Sequence, residues 1–168
     1  MEIQNKFGQY VPCRALWESA SLSHFKTERI VQCSRLPRSQ THAQIHGIFS
    51  ANTETYHSVS IHLRSRHTDW HTTINCAILS HITVTTPSTK LETSTWKIPK
   101  DFKLADELFD QPGSINLFIG GDLFYEKLRS DRRARPGKYP VLHEKVLGCT
   151  PTGRTPAPTT QQTLGIHF

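Results

Sequence analysis

Two runs near the middle of this chain alternate apolar and polar residues with period two, and they constrain the fold more than any other feature. In the first, Val59, Ile61 and Leu63 are separated by polar residues; in the second, Trp70, Thr72, Ile74, Cys76 and Ile78 follow the same rhythm. Successive side chains of a strand point to opposite faces, so the pattern predicts half-buried antiparallel strands. Around them, Ala51-Asn52-Thr53-Glu54 and Ser65-Arg66-His67-Thr68 read as turns. The apolar fraction is low, 36% of 168 residues, while Ser, Thr and His are plentiful. That balance suits a small β-rich domain with long polar loops better than a helical bundle, and the length suits one domain with a real core.

The flanking segments fill in the order of elements. Residues 7–17 carry β-formers and read as a strand or hairpin arm. Glu18-Ser19-Ala20-Ser21 is a small, polar, tight turn. Residues 22–34 then read as a helix, with Leu22, Phe25, Ile30 and Cys33 on one face and Lys26 and Arg29 outside it. Leu36-Pro37 closes that helix, because a residue before proline is pushed out of the α region. Residues 85–103 are rich in Thr, Ser, Pro and Lys and read as a long surface connection. The apolar run Ile115-Asn116-Leu117-Phe118-Ile119 ends in Gly120-Gly121, and a short amphipathic helix is expected over residues 122–130. The domain therefore spans residues 1–150, and residues 151–168, rich in Pro, Gly and Thr, are expected to be a disordered tail.

Several function classes lose ground on composition. No apolar stretch approaches the roughly 20 residues that cross a bilayer, and the first residues hold no apolar signal-peptide core. An intracellular, cytoplasmic location is the resulting expectation. Cys13, Cys33, Cys76 and Cys149 are scattered without a CxxC pair and read as reduced, partly buried thiols. A net charge of +6 favours acidic partners, nucleic acid included, but the charge is spread out. Its one dense run, Arg132-Arg133-Ala134-Arg135, reads as a solvated loop, so nucleic-acid binding is weakly supported.

The ten histidines supply no metal motif. His67 and His71 have a helical zinc spacing, yet read as strand residues they would lie about 13 Å apart on one edge. His57 and His62 would point to opposite faces of a strand, and no HExxH is present. No metal and no cofactor is expected. Tyr56 and Trp70 read as core or hairpin packing rather than base-stacking platforms.

Chemistry enters with two features taken together. One is a strand running into an acid–hydroxyl–small turn, Leu16-Trp17-Glu18-Ser19-Ala20-Ser21; the other is the apolar strand that ends in Gly120-Gly121-Asp122. The stretch CRALWESASLSHFKTERIVQ resembles the peptidase segment of BEL/Pao-type retrotransposon polyproteins, Arg-Ala-Leu-Leu-Asp-Ser-Gly/Ala-Ser-Gln followed by Phe-Ile-Thr-Glu. The positions in agreement are Cys13, Arg14, Ala15, Leu16, Ser19, Ala20, Ser21, Phe25, Thr27 and Glu28. QIHGIFSAN resembles a flap-region strand with its Gly47-Ile48 pair. LADELFDQPGSINLFIGGDLFYEKL resembles the family's Leu-Ala-Asp segment and its Ile-Asp-Leu-Leu-Ile-Gly-Ala-Asp-Leu-Phe signature. LHEKVLGCTPTGR resembles the family's closing segment. Each motif alone is weak; four in the right order make the resemblance, over roughly residues 5–156.

The resemblance implies an all-β fold, a small closed barrel of the retropepsin type. One helix would follow the active-site turn, and a short one would follow the Ile-Gly-Gly strand. It also implies an aspartic endopeptidase that cleaves a Gag-Pol-like polyprotein as a homodimer. Each copy supplies one turn, and the paired carboxylates share a proton and hold the attacking water, because like charges so close cannot both ionise. Ser19 would brace the turn across the dimer, and Ala20 stands where the family has Gly or Ala.

The departures carry equal weight. Glu18 stands where the family has the catalytic Asp, Asn116 replaces an Asp, Cys149 a Trp, and Lys26 an apolar residue. The extra methylene of Glu18 displaces the carboxylate, and a misplacement of about 1 Å can cost on the order of 10²-fold in rate. An impaired or inactive relative is the expectation, with a non-catalytic dimerisation or binding module as the runner-up. Without the resemblance, Glu18 is an ordinary exposed turn acid. Asp122 would then cap the helix starting at Leu123, and Asp106 and Asp110 would be surface or capping residues.

Overall fold

The computed structural model describes residues 1–46, 52–94, 96, 98, 102–126, 128–133 and 141–152. The described chain is mostly β with two helices. In order these are β1 (Glu2–Gln4), β2 (Tyr10–Pro12), β3 (Ala15–Trp17), β4 (His24–Thr27), α1 (Glu28–Ser34), β5 (Ser39–His46) and β6 (Asn52–Arg64). They continue with β7 (His71–Leu79), β8 (Leu117–Ile119), α2 (Gly121–Glu126), β9 (Leu128–Arg133), β10 (Val141–Lys145) and β11 (Gly148–Thr152).

The two alternating runs are β6 and β7, paired antiparallel from Ser58 opposite Ala77 to Arg64 opposite His71. Val59, Ile61 and Leu63 are fully buried, and Ile74, Cys76 and Ile78 face them from β7 with little or no exposure. Their burial, at about 1.5–3 kcal/mol per aliphatic side chain, is the main favourable term of the fold. The sheet built around this pair has the order β2-β1-β6-β7-β4-β8-β3, with β5 added to β6, and it curls as a half-barrel. Trp70 packs at the margin of the core. Tyr56 is exposed and stacks on His42 across the β5–β6 pair, with ring centroids 5.1 Å apart.

Several expectations from sequence are corrected. Residues 22–34 are not one helix: His24–Thr27 is a strand, parallel to β7 and antiparallel to β8, and only Glu28–Ser34 is helical. Pairing on both edges outweighs the weak helical pattern of a four-residue segment. Lys26, placed outside the buried face, is instead fully buried. Asn52, Thr53 and Glu54 open β6 instead of turning, paired to β5 from His46 opposite Asn52. The helix expected over 122–130 ends at Glu126, and Leu128–Arg133 continues as β9, so Arg132 and Arg133 lie on a strand rather than a loop. Pro151 and Thr152 belong to β11, two residues beyond the expected end of the domain. His67 and His71 share no strand: His67 lies in the turn before β7, and its Nε2 is 2.8 Å from the Leu104 carbonyl. Gly47, Ile48, Ala51, Ala134, Arg135 and residues 153–168 lie outside the described residues.

A second sheet, β11-β10-β9, joins the first through its turn. Val146 and Leu147 are buried in the common core, and the Ser65 hydroxyl donates to the Val146 carbonyl at 2.9 Å. The connection after β7 forms no strand or helix among its described residues and is held from within by Arg14. The guanidinium pairs with Asp106 at 2.5 Å and donates to the carbonyls of Thr86 at 3.2 Å, Gln111 at 3.0 Å, and Leu108. A planar fork with five donors can serve that many acceptors; an ammonium cannot. Asp106 is thus an ion-pair partner, and its other oxygen accepts from the Leu108 N–H at 3.0 Å.

Candidate active site

β3 and β4 lie on either side of β8, and the turn that joins them passes over the glycine end of β8. β3 runs parallel to β8, with Trp17 opposite Ile119, and β4 runs antiparallel, with Phe25 opposite Phe118. Leu117 and Ile119 are fully buried, so β8 is anchored from the core side. Short apolar strands with two partners have little freedom, and the turn inherits that rigidity.

The turn is pinned to β8 by backbone bonds. The Glu18 N–H donates to the Ile119 carbonyl at 3.0 Å, and the Gly121 N–H donates to the Ser21 carbonyl at 2.6 Å. A Cβ on Gly120 would stand 2.8 Å from the Ser23 carbonyl oxygen and 2.9 Å from that of Ser21; one on Gly121 would stand 2.6 Å from the Ser19 carbonyl oxygen. These are backbone atoms that cannot swing aside, so the two glycines set how closely the strand end and the turn approach. Trp17 and Phe124 add a ring contact at 6.2 Å between β3 and α2.

The candidate residues Glu18, Ser19 and Ala20 are consecutive at the tip of this turn. Glu18 is half-buried, while Ser19, Ala20 and Leu22 are exposed, Leu22 at 94%. The Glu18 side chain folds back on its own loop, where Oε1 accepts the Ala20 N–H at 3.0 Å. Asp122 is not the cap: α2 begins at Gly121, the Phe124 N–H bonds to the Gly120 carbonyl, and Asp122 lies within the first turn. One Asp122 oxygen accepts the Leu123 N–H at 2.7 Å, and the other stands 3.3 Å from His24 Nε2. The Asp110 carboxylate accepts from the Gln111 amide at 3.0 Å, a local surface role.

Two residues beside the turn carried no functional expectation. His24 is buried, and the Gly120 N–H donates to its Nδ1 at 3.0 Å. One histidine among ten has no signal in sequence that could single it out; only the topology brings it under the turn. Lys26 is fully buried on β4, and among the described residues its Nζ has no hydrogen-bond partner. Burial pushes its amine below the ordinary lysine range, against a smaller opposing influence from Cys13 and Cys76. Burial in turn raises both thiols, that of Cys76 to about 12. Burial thus disfavours the charged form of all three groups, the amine and the two thiols.

Cys13, Cys76 and Cys149 are buried and Cys33 is exposed. Among the described residues no three His, Cys, Asp or Glu side chains converge as a metal site, and no helix is long and apolar enough to cross a membrane. Comparison with known proteins found no matching family model, no matching curated protein and no matching solved structure.

Proposed function

We propose that this chain is a relative of the retropepsin-like aspartic endopeptidases of BEL/Pao-type polyproteins, and that its active-site turn has lost most or all of its activity because Glu18 occupies the position of the catalytic aspartate. The observation that carries the reading is the seating of the Glu18-Ser19-Ala20 turn on the glycine end of β8, through the Glu18–Ile119 and Gly121–Ser21 bonds. A carboxylate on a tight turn, backed by a buried strand, is held where a second copy could meet it across a two-fold axis. Exposure of Ser19, Ala20 and Leu22 at the tip is in keeping with that pairing. In the homodimer the two carboxylates would share one proton, one acting as base toward water and the other as acid toward the scissile carbonyl of a polypeptide.

The bond from the Ala20 N–H to Oε1 turns the longer Glu18 side chain back on its own loop, which supports a loss of activity. The same observation favours the second reading, a dimerisation or binding module that keeps the turn and its seat without the chemistry. Cleavage of a peptide library by the Glu18→Asp chain, inhibited by pepstatin, tests the first reading. A variant that sediments as a dimer yet cleaves nothing would favour the second.

A further inference from the structure

We propose that His24 is a positioning residue for this turn, holding the glycine end of β8 only while its ring is neutral; the functional arm of the proposal rests on the peptidase reading. The Gly120 N–H points at Nδ1 from 3.0 Å. A backbone N–H can only donate, so Nδ1 is the unprotonated nitrogen and the ring proton sits on Nε2. Nε2 stands 3.3 Å from the Asp122 carboxylate, which becomes an ion-pair partner once the ring is protonated. The imidazole therefore links the end of β8 to the first turn of α2, directly below the loop that carries Glu18.

A second proton on the ring has one place to go, Nδ1, where it meets the Gly120 N–H head-on. Two donors cannot share a bond, so the protonated ring keeps Asp122 and gives up Gly120. Gly120 and Gly121 lie so close to the turn that a Cβ on either would meet the backbone of Ser19, Ser21 or Ser23. Loss of the His24 bond frees the strand end that seats Glu18. The charged and titratable groups around His24 are Asp122 from α2, Cys76, its register partner on β7, and Lys26, two residues along on the same face of β4. Burial pushes the Cys76 thiol up to about 12 and the Lys26 amine below its ordinary range, and Asp122 is the carboxylate that stands beside the ring.

The test is NMR on the intact chain, reading the His24 ring nitrogens and the exchange of the Gly120 amide through a pH titration. The expected result is the Nε2–H tautomer at neutral pH, and Gly120 exchange that speeds roughly tenfold with the same midpoint as the ring. In His24→Asn, whose side-chain oxygen can accept the same N–H, the Gly120 protection persists through that pH range. In His24→Leu it is lost throughout. An Nδ1–H tautomer, or Gly120 protection that ignores the titration of the ring, overturns the proposal whatever the activity. In the Glu18→Asp chain, cleavage should fall on the acid side with the His24 midpoint, and His24→Asn should remove that fall. An acid limb that His24→Asn leaves in place also overturns it. If the NMR result holds while Glu18→Asp cleaves nothing at any pH, His24 keeps its positioning role and the peptidase reading fails.

Discussion

Replacing Lys26 with methionine should stabilise this protein. Methionine keeps the length and nearly the volume of the lysine stem, so the fully buried slot on β4 stays filled. What disappears is an amine without a hydrogen-bond partner among the described residues, and removing such a group returns about 1–3 kcal/mol. For a chain of 168 residues, each kcal/mol moves the melting temperature by about 2–4 °C, so a rise of roughly 4–8 °C is expected near 2 kcal/mol. The gain should also depend on pH. Burial lowers the pKa of Lys26, so the unfolded chain binds a proton that the folded chain sheds, and wild-type stability from this residue rises with pH. That contribution is fully present above the ordinary value of 10.5 and is lost as pH falls through the folded value. The advantage of Lys26→Met over wild type should therefore shrink as pH rises toward 10.5. Urea denaturation of both chains across that range measures it. A destabilised methionine variant, or an advantage independent of pH, would refute the account of Lys26 as an uncompensated buried amine. Lys26→Ala serves as the control: it removes the stem as well and should cost about 2–5 kcal/mol.

Further expectations concern the turn, the long connection and the thiols. Gly120→Ala forces a Cβ against the carbonyls of Ser21 and Ser23 and should cost about 1–3 kcal/mol, with the amide signals of residues 18–23 shifting in NMR spectra. Arg14→Lys keeps the charge but cannot serve Asp106 and three carbonyls together; it should lose about 2 kcal/mol and open the connection after β7 to limited proteolysis. Cys76, whose thiol is raised to about 12 from 9.0, contributes stability that is full below pH 9.0 and is lost as pH rises toward 12. Alkaline denaturation should therefore be shallower in Cys76→Ala, despite a neutral-pH cost of about 1 kcal/mol from lost packing.

The parts of the fold legible in sequence are those where one side of a strand meets the core. The alternation of Val59, Ile61 and Leu63 against Ile74, Cys76 and Ile78 is a local signal, and it located β6 and β7 and their buried faces. The apolar run before Gly120-Gly121 located β8 for the same reason. Residues 24–27 read as helix in sequence because their strand character comes from β7 and β8, distant in sequence, while Lys26 disguises a buried position as a surface one. Asn52, Thr53 and Glu54 look like a turn by composition, yet the β5–β6 hairpin continues through them. Glu18, Ser19 and Ala20 could be placed on a turn from their types alone. Their seat on β8 could not, because it depends on a glycine contact across the fold. Arg14 stood within a matched motif, but its task of holding the connection after β7 shows only in the hydrogen bonds.

The central claim is that Glu18 occupies a catalytic position and is itself the lesion. The most direct measurement compares cleavage of a peptide library by the purified chain and by Glu18→Asp, side by side, from mildly acidic to neutral pH and at high protein concentration. Cleavage by the aspartate variant, with wild type slower by on the order of 10²-fold or more, is the predicted result. Equal activity in both chains would show that glutamate is tolerated at the site. Silence in both would contradict the claim that one methylene separates this turn from a working one.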